Sequence, residues 1–155
     1  ELHPGFGVYN PATCLRLRAA VGDIIGANID PSHLFWQGMD ILEVIRDLGA
    51  AKAIHYFHAK DTQLVEHNIR KNGVLDTTSL ADIPNRAWVF RTLGYGHSEG
   101  LWKQIFSALK IAGYDDSISI EHEDGLMSPK EGLEKAIRLV REGIIREGNN
   151  NLFWA

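Results

Sequence analysis

The sequence predicts an α/β fold of repeated strand–helix units, equivalent to four of the eight units of a closed barrel. Three observations carry this reading. Helical and strand patterns alternate along the 155 residues as helix, strand, helix, strand, helix, strand, helix. Alternation of this kind implies right-handed parallel crossovers, with strands buried and helices outside. Each of the three apolar strand runs also ends on an acidic residue or a histidine, at Asp30, at His58 and at Glu121. Taken singly, such a residue is accounted for as a loop cap. Three together point to one polar site at the C-terminal end of a sheet, where barrels carry their function.

The elements follow in order. Asn10-Pro11 is a helix start, a capping side chain followed by proline at the first helical position. That helix should run to about Ala20, with Leu15 and Val21 among its apolar residues, and Gly22 closes it. Ile24–Ile29 reads as a buried strand. It stops at Asp30 because Pro31 lacks an N–H and turns its predecessor away from helical angles. After an Asp30–Gly38 loop, Asp40 opens a helix whose apolar face is Ile41, Leu42, Val44, Ile45 and Leu48, with Gly49 as its stop. Ala53–His58 is the next strand. From Ala59 to about Gly100 turn residues dominate without a helical period, which suggests a long functional loop. Leu101–Ala112 returns to the helical pattern through Leu101, Ile105, Phe106 and Leu109, up to Gly113. Ser117–Glu121 is the third strand. Ser128-Pro129-Lys130-Glu131 reads as a capping box, opening a helix with Leu133, Ile137, Val140 and Ile144. The Asn-rich tail ends on Leu152, Phe153 and Trp154, aromatics expected to dock on a neighbour.

Composition narrows the class. With 45% hydrophobic and 23% charged residues, the chain is that of a globular protein. A net charge of -4 and no basic face give no reason to expect nucleic acid. The apolar runs are too short to span a bilayer, so no membrane partner is expected. The lone Cys14 excludes an internal disulfide, fits a cytoplasmic location and reads as a packing residue. The chain opens on Glu1 with no initiator Met, as though cut at a strand end, so a piece of a longer protein is expected.

The segments Glu1-Leu2-His3-Pro4-Gly5, Asn28-Ile29-Asp30-Pro31-Ser32-His33, His58-Ala59-Lys60-Asp61 and Ile120-Glu121-His122-Glu123-Asp124 resemble the C-terminal half of the sugar phosphate isomerase/epimerase family. These are xylose-isomerase-like TIM barrels, alongside ketose 3-epimerases, inosose dehydratases and endonuclease IV type enzymes. The resemblance implies a (β/α)8 barrel of which residues 1–155 supply the last four units. It implies a divalent metal held by Glu1, Asp30, His58 and Glu121, with His33 facing substrate and His3 and Lys60 as further substrate contacts. Asp61 is left between orienting Lys60 or a ligand and capping its loop.

The chemistry of the four ligands agrees. Three carboxylates and one imidazole form a hard, oxygen-rich site suited to Mn, Mg or Co, with Zn possible. A ketose bound there would lose a proton to one of Glu1 and Glu121 and regain it from the other, through a metal-stabilised enediolate. Isomerisation and epimerisation both remain open, as does a related dehydratase. The competing reading is a non-catalytic half-barrel that binds metal. An endonuclease of the same superfamily would need further His and Asp ligands and a positive surface, against the acidic balance. Other residues are expected outside the chemistry: His55 towards the helix layer, His67 solvated, Phe35 and Trp36 packed. His97, in a glycine-flanked turn, stands between lid contact and structure. An open half-barrel exposes two sheet edges and an apolar wall, so a homo-oligomer or a missing N-terminal half is expected to cover them.

Overall fold

The computed structural model describes residues 1–148. Its elements are α1 Pro11–Val21, β1 Ala27–Ile29, α2 Pro31–Phe35, α3 Ile41–Ala50, β2 Ile54–Ala59, β3 Asp61–Leu64, α4 Glu66–Asn72, β4 Trp88–Arg91, α5 Glu99–Ile111, β5 Ile118–Ile120 and α6 Pro129–Gly143. Strands β1, β2 and β5 form a parallel sheet in that order. Leu2 donates its N–H to the Asn28 carbonyl at 3.4 Å, so residues 1–2 run beside the free edge of β1 without forming a strand. The expected aromatic docking of the tail lies outside the described residues.

The helices start where side chains can satisfy free N–H groups. Asn10, Asp40, Ser98 and Ser128 cap α1, α3, α5 and α6, and proline takes an opening position in α1 and α6. Helix α3 buries Ile41, Val44, Ile45 and Leu48 against the sheet and α5. Each such side chain contributes about 1.5–3 kcal/mol of transfer free energy, before conformational entropy is counted. Phe57 and Ala59 from β2 meet this layer, with Trp102, Ile105 and Leu109 from α5. Cys14, almost fully buried, is the packing residue of α1.

Several expectations are corrected. The first strand is three residues long, and Ile24 is 82% exposed instead of buried. Gly22 leaves α1 at φ +117°, and Arg18 then ties the following turn by donating to the carbonyls of Asp23 and Ile25. The Asp30–Gly38 segment contains α2, because the Asp30-Pro31 pair that ends a strand also caps and opens a helix. The segment from Ala59 to Gly100 is not one long loop. It forms an antiparallel hairpin, β3 on β4, with α4 and a single 3-10 turn at Ile83–Asn85 between them. On α6 the packed residues are Gly132, Ala136 and Leu139, while Leu133 and Ile137 are each more than a third exposed. The apolar stripe of that helix is wider than the surface that covers it here.

His55 also departs from expectation. It is exposed, not covered by helices. The register shifts between Ala27 and Asn28, so β2 advances two residues against one of β1 at that point. The extra residue is His55, and its ring rests where Gly26 has no side chain.

Candidate metal centre

Strand ends bring the polar residues together. Glu1 lies in the edge segment, Asp30 follows β1, His58 lies near the end of β2 and Glu121 follows β5. Donor atoms of Glu1, Asp30 and His58 lie within 4.8 Å of one another, a group that could hold a metal ion. Glu121 borders this group, with Oε1 3.2 Å from His58 Nδ1 and Oε2 accepting from Lys60 Nζ at 2.8 Å. His33 Nε2 stands 3.2 Å from Glu1 and 3.5 Å from Asp30, and the His3 ring lies 4.3 Å from the His33 ring. Lys60 is nearly buried and reaches Asp30 at 3.3 Å and Glu123 at 3.1 Å as well as Glu121.

The donor set fits a divalent cation. Asp30 is fully buried, and its Oδ1 accepts the Ser32 N–H at 2.9 Å. Its Oδ2 is buried without any hydrogen bond, although Lys60, His33 and His58 surround it at 3.3–3.7 Å. A buried carboxylate oxygen that has charge neighbours but no hydrogen bond retains capacity to coordinate a cation. Carboxylate and imidazole ligands suit Mn, Mg or Zn without selecting among them.

Electrostatics follows the geometry. Burial pushes the Asp30 carboxyl upward, but His58, Lys60 and His33 outweigh it and hold the group below its ordinary range. The contact with Asp30 raises the His58 imidazole against the opposing effect of burial, helped by Glu121. Burial lowers His33, with Asp30 pulling the other way. Burial likewise disfavours the charged Lys60, but Asp30, Glu121 and Glu123 more than compensate and raise it.

Glu121, His33 and Lys60 join the cluster to a cavity of about 870 Å³, which Glu1, Asp30 and His58 do not themselves line. His3, His33, Lys60, Glu121 and Glu123 line its polar side. The hairpin and its connection supply Trp88, Phe90, Leu80 and Ile83 on the other, with Trp36 from the end of α2. Trp36 stacks on Trp88 at 4.8 Å, so this packing residue is also wall. Sequence reasoning missed the hairpin's share of the cavity. The run Ala87-Trp88-Val89-Phe90 was the available signal, since apolar β-branched and aromatic residues favour strands.

The remaining polar residues are otherwise engaged. Asp61 staples the Gly94–His97 turn to the strand end. His97 stacks on Phe35 at 3.7 Å and contacts Asp61 through Nδ1 at 2.8 Å. His67 is exposed, on α4. His122 faces the Met127 carbonyl.

Parallel strand–helix units that gather acidic and imidazole side chains at their strand ends have the arrangement in which α/β barrels carry their sites. The chain belongs to the xylose isomerase-like TIM barrel family, whose profile matches residues 1–143. That superfamily includes sugar isomerases and epimerases and the endonuclease IV type enzymes. The chain is 42% identical over 137 residues to the uncharacterized protein YfiH of Bacillus subtilis (strain 168), covering 88% of the chain. It spans 43% of that relative's length. No helix among the described residues is long and apolar enough to cross a membrane.

Proposed function

We propose that residues 1–155 form the last four strand–helix units of a (β/α)8 barrel, and that the protein is a divalent-metal-dependent isomerase or epimerase of ketose sugars or their phosphates. The observation that carries this is the convergence of Glu1, Asp30 and His58 within 4.8 Å, with Glu121 linking them to a sugar-sized cavity that it lines. Family membership and the open order of the parallel sheet support it.

In this reading Glu1, Asp30, His58 and Glu121 hold the cation, which supplies Lewis acidity towards substrate oxygens. Glu1 and Glu121 approach the cluster from opposite edges of the sheet, one beside β1 and one after β5. One carboxylate takes a proton from the carbon next to the ketose carbonyl, and the other returns one from the far side. Lys60 fixes Glu121 through its Oε2, and His33 fixes Glu1 through its Oε1. His33, His3 and Lys60 line the space in which the sugar hydroxyls would lie.

Ketose turnover by the intact protein in heavy water tests the proposal. Solvent deuterium should enter the carbon next to the carbonyl, and Glu121→Gln should slow that exchange by about 100-fold or more. Full retention of the original hydrogen would contradict proton abstraction and leave both glutamates as ligands only.

A further inference from the structure

Next to Glu123, the wall of the cavity contains what an anion needs. Arg91 Nε and the Thr92 N–H converge on one point at 3.1 and 2.8 Å, and the Leu126 N–H adds a donor at 2.9 Å. A guanidinium with two peptide N–H groups is a cradle for a phosphate or carboxylate. Here it is filled from within, because all three donate to the nearly buried carboxylate of Asp124. The other Lys and Arg side chains on this cavity also have partners, although Arg86 has only neutral ones. Among the described residues that line it, Lys60 pairs with Asp30, Glu121 and Glu123. Arg86 donates to the carbonyls of Trp88 and Thr78, and its guanidinium lies over the Trp88 ring. Arg91 also donates to Gln63 at 2.7 Å and lies over the Tyr95 ring. A phosphate dianion entering the cavity would meet Glu121, Glu123 and Asp124, while the Arg91 and peptide N–H donors that could receive it are already held by Asp124.

We infer that Asp124 is a specificity-determining residue whose carboxylate occupies the place of a substrate phosphate, so that the site takes an uncharged sugar and rejects its phosphate ester. This rests on the sugar reading above and goes beyond it by choosing between a sugar and a sugar phosphate. The choice is made by repulsion as much as by attraction: the hydroxyls of a neutral sugar can hydrogen-bond to carboxylates that repel a phosphate.

Matched pairs test it: fructose against fructose 6-phosphate, and ribulose against ribulose 5-phosphate, titrated into the Mn²⁺-loaded chain. Trp36 and Trp88 line the cavity, so tryptophan fluorescence reports occupancy. The neutral member of a pair should bind at least ~10-fold more tightly than its ester. Asp124→Ala should empty the cradle, narrow that ratio by about tenfold, and gain a rise in melting temperature with inorganic phosphate that the unmodified chain lacks. Should Asp124→Ala not fold, Asp124→Asn must narrow the same ratio, and the unmodified chain's own ratio remains decisive. Tighter binding of the ester by the unmodified chain would overturn the inference and leave the sugar reading standing. A folded Asp124→Ala that ignores phosphate and keeps the original ratio would overturn it as well. Binding of no member of either pair would overturn the sugar reading, and this inference with it.

Discussion

Asp30 and Asp61 are both fully buried carboxylates at strand ends, yet their surroundings differ in kind. Asp61 is saturated. Its Oδ1 accepts from the Thr62 N–H and His97 Nδ1, each at 2.8 Å. Its Oδ2 accepts from the N–H groups of Gly94, Gly96 and His97 and from the Trp102 indole, at 2.9–3.1 Å. Asp30 has one good bond, from Ser32, and an Oδ2 with none. Lys60 pairs with it in charge at 3.3 Å without hydrogen-bond geometry, and His33 and His58 stand at 3.5 and 3.7 Å. A buried carboxylate surrounded by fixed N–H groups holds a fold together. One that keeps an oxygen bare among Lys and His side chains is arranged for something that must still arrive.

The sharpest way to break this comparison is to remove the saturated carboxylate. Asp61→Ala leaves several buried donors unpaired, and the Gly94–His97 turn loses its attachment to β3. Gly96 packs so closely on the Thr62 backbone that a Cβ would lie 2.5 Å from it, so the turn has no alternative seat. A loss of about 3 kcal/mol or more in urea unfolding is expected, and Mn²⁺ should not restore it. A loss below ~1 kcal/mol would mean that the Asp61 network is not structural.

The two carboxylates were unequally legible in the sequence. Asp30, His58 and Glu121 stood out because each closes an apolar run, where a polar residue needs a reason. Asp61 offered no such contrast, since its main partners are backbone N–H groups of a turn far along the chain. Its strand, Asp61-Thr62-Gln63-Leu64, is too polar to announce itself and exists through pairing with Trp88–Arg91. The Asp30-Pro31 pair was legible as a strand stop, but the same capping oxygen and fixed φ also start α2. The width of the apolar stripe on α6 was legible, whereas which part of it is covered depends on neighbours that local periodicity does not specify. Asp124 was legible only as the end of the Ile120–Asp124 segment, because its partners Arg91 and Thr92 lie on the unforeseen hairpin.

A smaller effect sharpens the contrast from the acid side. Burial raises the Asp124 carboxyl, but the Thr92 and Leu126 N–H groups and Arg91 outweigh it, so its folded value lies below 3.8. Its contribution to stability is therefore present above pH 3.8 and lost as pH falls through the lower folded value. Asp124→Asn should be less stable near neutrality, with the gap to the unmodified chain closing below that pH. Parallel melting curves across the acid range check this. A gap that widens in acid would contradict the assigned direction.

The central claim is that Glu1, Asp30, His58 and Glu121 form a divalent-metal site. It is tested most directly by thermal unfolding with Mn²⁺ and then with a chelator, on the unmodified chain and on Asp30→Asn. A cation bound only by the folded state at a hundredfold excess over Kd contributes about 2.7 kcal/mol, a rise of about 5 °C or more for a domain of this size. The account predicts that rise for the unmodified chain, its reversal by chelator, and its loss in Asp30→Asn. Equal melting temperatures with metal and with chelator in the unmodified chain, or an undiminished rise in Asp30→Asn, would contradict it.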